Sequence, residues 1–66
     1  MDPKAAIEWA GSQAELARRL GIRRASVSLW VAAGRVPEPR AYQIQVISKG
    51  AVKVDPARYA RPTEAA

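Results

Sequence analysis

Cysteine and histidine are both absent from this 66-residue sequence, and each absence closes a route to function. Without cysteine there is no disulfide framework and no thiolate metal site. Without histidine, the commonest general base and the commonest metal ligand are missing. Catalysis would have to rest on six carboxylates, the serines and the lysines, which form no evident cluster. Neither an enzyme nor a cofactor, metal or small-molecule ligand is expected. No stretch approaches the roughly twenty apolar residues of a membrane span. Nor does a basic segment followed by an apolar one open the chain, so no signal peptide is visible. The expectation is a cytoplasmic protein without a membrane partner. Internal repeats and low-complexity tracts are also lacking. A chain this short allows one domain at most, with a marginal core. Residues 1–60 are expected to form it, and residues 61–66 to be a flexible tail with little to bury.

Acidic residues are scarce: six Asp and Glu stand against eleven Lys and Arg, a formal net charge of +5. Arginine supplies most of the positive charge, and its planar fork suits phosphates and base edges. A basic balance in a small chain points to a polyanionic partner, usually nucleic acid.

Local patterning predicts short helices. Asp2-Pro3 reads as a cap and first-turn proline, opening a helix from Pro3 to Ala10 that Gly11 stops. Ser12 and Glu15 form an S-x-x-E capping box. Leu16, Ala17 and Leu20 then make the stripe of a half-buried helix ending at Gly21. A third helix, about 24–33, shows Val27, Trp30 and Val31 on one face before Gly34 and the break at Pro37 and Pro39.

Residues 40–54 read two ways. Tyr42, Ile44 and Val46 alternate with glutamine, Ser48-Lys49-Gly50 resembles a turn, and Val52 and Val54 alternate again, which is a hairpin pattern. The same stretch also reads as a helix. Pro39 then falls in its first turn, Ala41, Ile44 and Ile47 form the stripe, and Gly50 is the stop. Asp55-Pro56 reads as the cap and start of a final turn.

The segment "SQAELARRLGIRRASVSLW" carries the sharpest signal. Counting Gln13 as position one, Ala17 is fifth, Gly21 ninth, Val27 fifteenth and Trp30 eighteenth. Leu16, Leu20 and Ile22 fill the fourth, eighth and tenth places. This is the helix-turn-helix pattern. A small residue is required where two helices cross closely, and a glycine where a three-residue turn needs positive φ. A plain helical corner would satisfy the same packing. The outward face of the second helix separates the two readings, because from Arg23 to Gly34 there is no acidic residue.

Docking geometry then sets the candidate roles, with the second helix entering a major groove by its N-terminus. Arg24 is the candidate for guanine, Ala25 and Leu29 for thymine methyls, and Ser28 for a base or phosphate hydrogen bond. Gln13, Arg23 and Arg35 are candidate phosphate contacts. Ser12 is read as a structural cap, and Arg19 as pairing with Glu15. Arg40, Lys49 and Lys53 are weaker additions to the backbone footprint.

"GSQAELARRLGIRRASVSLWVAAGRVP", from Gly11 to Pro37, resembles the helix-turn-helix core of the phage Cro repressors and the related YdaS-type antitoxin and regulator group. "SKGAVKVDPARYARP" adds a weaker match. The resemblance implies a small bacterial or phage transcription regulator that binds a pseudo-palindromic operator in double-stranded DNA, commonly as a homodimer. It places Gln13, Arg24, Ala25, Ser28 and Leu29 on DNA-contacting positions. Arg24, Ala25 and Leu29 depart from the polar residues usual there, so the preferred base sequence does not carry over. The group has two C-terminal architectures. One is all-α, with about five short helices in a lambda-repressor-like arrangement. The other is an α+β Cro fold with a dimer-forming β-hairpin. The Pro-started, Gly-ended stretch matches the all-α version better.

Trp9, Leu29, Tyr42 and Val46 exceed what a minimal core can bury, and a second copy is the simplest partner for them. An antitoxin or protein-interaction module that binds a partner and autoregulates is the alternative function.

Overall fold

The computed structural model describes residues 1–59, so the expected tail at 61–66 lies outside the described residues. Four α-helices follow in order: α1 (Pro3–Ala10), α2 (Gln13–Leu20), α3 (Arg24–Ala33) and α4 (Glu38–Ile47). A 3-10 turn at Pro56–Arg58 completes them. Among the described residues there is no strand, so the all-α reading holds over the hairpin.

Caps written in the sequence set these boundaries. The Asp2 carboxylate accepts from the Lys4 amide at 2.9 Å, and the Ser12 hydroxyl accepts from the Glu15 amide at 3.0 Å. The Glu15 side chain turns to Arg18 and Arg19. Both helices of the corner end in the same hydrogen-bonded reversal, with glycine in the left-handed region. Gly21 has φ 70°, and the Ile22 amide donates back to the Ala17 carbonyl at 3.0 Å. Gly34 has φ 73°, and the Arg35 amide donates to the Trp30 carbonyl at 3.1 Å.

The core gathers the residues that the helical stripes predict. Leu16, Val27, Val36 and Ile44 are the largest fully buried side chains, and Ala17, Leu20 and Trp30 join them. Ala17, the small residue on the inner side of α2, belongs to this core, and α2 and α3 make the most extensive contact in the fold. Ile22 and Trp9 pack on the core from its edge. The Arg19 guanidinium lies 4.9 Å from the Trp9 ring centre and ties α2 to α1.

Two stripe assignments shift by one position. Val31 is 45% exposed, although the i+4 pattern from Val27 places it inside. A ten-residue helix packed along one narrow seam buries Val27 and Trp30 and turns Val31 out. In α4, Ala41 and Ile44 are buried as expected, but the next inward position is Ser48 and not Ile47.

Why the alternating segment does not form a hairpin is visible in its hydrogen bonds. Buried backbone amides need partners, and a strand would supply them. Here α4 supplies them: the Val52 amide donates to the Ser48 hydroxyl at 3.1 Å, and the Val54 amide to the Gln45 side-chain oxygen at 2.7 Å. Val52 is thereby buried without a ladder.

Candidate nucleic-acid interface

The outer side of α3 is built from residues the core does not use. With Val27 and Trp30 turned inward, helical geometry presents Arg24, Ala25, Ser28 and Leu29 outward, and all four are exposed. Leu29 is the extreme case at 69% exposure, an apolar side chain placed in solvent with no core role. Ala32, one turn beyond Ser28 and Leu29, continues the same face and is also exposed. Sequence reasoning missed it, although its spacing of three and four from those residues is the available signal.

Electrostatics distinguish the arginines. Glu15 pairs with Arg18 at i+3 and with Arg19 at i+4, the latter at 3.5 Å. The Arg18 hydrogen bond, with the charges of both arginines, holds the Glu15 carboxyl below its ordinary value, and the same bond raises Arg18. Arg23, Arg24 and Arg35 take part in neither of these pairs. Arg23 occupies the N-cap of α3 and makes no side-chain capping bond. The positive end of the helix dipole therefore coincides with two unpaired guanidinium groups, a local field that attracts anions. Arg35 sits at the opposite end, with its guanidinium 4.7 Å from the Tyr59 ring centre.

Gln13, half-buried at the start of α2, is brought to this face. The Ser28 hydroxyl donates to its side-chain oxygen at 2.9 Å. Four of the sequence-derived candidates, Arg24, Ala25, Ser28 and Leu29, thus share one helix side. Gln13 bonds to it, and Arg23 and Arg35 stand at its two ends.

A solvent-facing, acid-free helix held across a glycine corner is the architecture of a DNA reader. The profile of the P22 Cro family, described as DNA-binding transcriptional regulator Cro, matches residues 2–63. The chain belongs to the Cro family. It is accordingly a DNA-binding transcriptional regulator whose partner is double-stranded DNA. No curated protein and no solved structure shows significant similarity to it. The family match does not favour the antitoxin alternative. Among the described residues, no helix of this Cro-family chain is long and apolar enough to cross a membrane.

Proposed function

We propose that residues 1–60 act as one cytoplasmic Cro-type repressor unit, with α3 inserted into the major groove of a pseudo-palindromic operator. The acid-free exposed side of α3 carries this reading. Arg24, at the N-terminal end, reaches guanine O6 and N7, and Ala25 and Leu29 meet thymine methyls. Ser28 has its hydroxyl proton committed to Gln13. Its oxygen is left to accept, which suits the amino groups of adenine or cytosine. Gln13 in turn accepts through its carbonyl, so its amide nitrogen is the end that donates to phosphate. Arg23 and Arg35 contact phosphates on either side of the groove. At a rise of 1.5 Å per residue the ten residues of α3 span about 15 Å, with Arg23 just before its start and Arg35 just past its end.

The protein acts as a homodimer, and α4 supports this part of the reading. It buries Ala41 and Ile44 on one side, yet leaves Tyr42 43% and Val46 74% exposed on the other. Exposed Glu38 stands at its start and exposed Lys49 just past its end. An antiparallel pairing about a two-fold axis sets Tyr42 against the partner's Val46 and Glu38 near the partner's Lys49, whereas a parallel pairing opposes like charges.

Selection of bound sequences from a pool of random duplexes tests the proposal, and a palindromic consensus is the expected result. Arg24→Ala should cost about 1–3 kcal/mol of operator affinity and relax preference at one base position. If the variant and the parent select the same consensus with equal affinity, Arg24 is not a reader.

A further inference from the structure

Tyr59 joins three distant parts of the chain. It is a buried aromatic in the last described turn, far in sequence from the corner. Its hydroxyl donates to the Val36 carbonyl at 2.6 Å and accepts from the Met1 amino nitrogen at 2.6 Å. Those bonds lock the ring against the segment that leaves α3. The same segment is held again where the Val36 amide donates to the Met1 carbonyl at 3.1 Å. Over the fixed ring lies the Arg35 guanidinium. The Arg35 backbone is pinned by the hydrogen bond its amide donates to the Trp30 carbonyl.

We infer that Tyr59 is a positioning residue for DNA binding, its ring holding the exposed Arg35 guanidinium ready for a phosphate at the C-terminal end of α3. This rests on the proposed docking of α3. The chemistry is that of a guanidinium with two kinds of surface. Its flat face stacks on an aromatic ring, while its five N–H donors lie in the plane and point from the edge. Stacking on Tyr59 occupies a face and leaves the edge for a phosphate's oxygens. An arginine without such a platform loses rotamer freedom on binding. One already held has lost that freedom in folding, so its contact is made at lower cost. Arg35 has the platform, has no carboxylate partner among the described residues, and is exposed.

Operator and mixed-sequence duplex affinities across a salt series test this in Arg35→Ala, Arg35→Lys, Tyr59→Leu and the Arg35→Ala/Tyr59→Leu pair, with folding followed by circular dichroism. Arg35→Ala should weaken both duplexes and flatten the log–log salt slope by about 0.9, one phosphate. Tyr59→Leu should keep the slope but lose about 2- to 12-fold in affinity, the range for ordering one long side chain on binding. The loss should disappear in the Arg35→Ala background. Arg35→Lys keeps the charge without the stacking fork and leaves the Tyr59 bonds intact. It should keep the parent's slope and lose about the same 2- to 12-fold, and it carries the test if Tyr59→Leu folds poorly.

Additive losses in the double variant, or an Arg35→Lys protein that binds like the parent, would overturn the inference. So would an unchanged slope in Arg35→Ala. The α3 docking is judged separately: an effect of Arg24→Ala on operator preference upholds it whatever Arg35 does.

Discussion

The Ser28 hydroxyl and the Gln13 side chain, fifteen positions apart, are joined by a hydrogen bond of 2.9 Å that crosses from α3 to the start of α2. The bond links a candidate base reader to a candidate phosphate contact, so each fixes the other's orientation. In an exposed setting such a neutral bond contributes only about 0.5–1.5 kcal/mol to stability. Its larger consequence is for DNA. Ser28→Ala should lower the melting temperature by roughly 2–12 °C, the equivalent of that bond, and weaken operator binding by about 1 kcal/mol. A double-mutant cycle with Gln13→Ala, read by fluorescence anisotropy, should show coupling of about 0.5 kcal/mol or more. Strict additivity would mean that the two side chains bind independently.

Gly21 is the corner's backbone requirement. A β-carbon built there meets nothing within 4 Å, so a substitution is opposed by conformation and not by packing. With φ at 70°, alanine should cost about 1–2 kcal/mol. For a chain of this size that is a fall of roughly 4–8 °C per kcal/mol in thermal unfolding. The discriminating control is synthetic: D-alanine, which favours positive φ, should be tolerated at Gly21. Equal destabilisation by both enantiomers would show that space and not backbone geometry limits the site.

Glu15 makes α2 sensitive to acid. Its carboxyl is held below its ordinary value, chiefly by the Arg18 hydrogen bond, in the folded state. A depressed carboxylate contributes stability above its unfolded value and loses it as pH falls through the folded value. The contribution should therefore be complete at neutral pH and vanish only in the acidic range below the ordinary carboxylate value. Glu15→Gln should flatten that part of the pH–stability profile measured by chemical denaturation. It should also release Arg18 and Arg19, which strengthens non-specific DNA binding at low salt. A profile identical to the parent's would remove Glu15 from the acid response.

The exposed side of α4 predicts the behaviour of charge variants. Val46→Lys should shift the protein toward monomer in sedimentation experiments while leaving binding to a single half-site unchanged. Glu38→Lys and Lys49→Glu should each weaken self-association, and the two together should restore it. A parent protein that is monomeric at all concentrations and also binds its full operator as a monomer would rule out the α4 dimer.

Much of this molecule is legible in its residue pattern. The bounds of α1, α2 and the corner follow from Asp2, Ser12, Gly11 and Gly21, because caps and glycine turns are decided within four or five residues. The exposed side of α3 was legible for the same reason: once Val27 and Trp30 are inward, the helical period turns Arg24, Ala25, Ser28 and Leu29 outward. Val31 lies outside the core: periodicity shows which residues share a side, but not how wide a strip the neighbouring helix covers.

The residues alone therefore fix local features: four helix-compatible segments, a glycine corner, and an acid-free basic stretch. Tertiary structure alone decided between hairpin and helix for residues 40–54. In the folded chain Ser48 and Gln45 take up the Val52 and Val54 amides, so the segment after α4 needs no strand partner. Only the fold, too, could set Ser28 against Gln13 and Tyr59 beneath Arg35. These pairs are remote in the chain, and no local propensity encodes them. They form because packing of the shared core brings their backbones together.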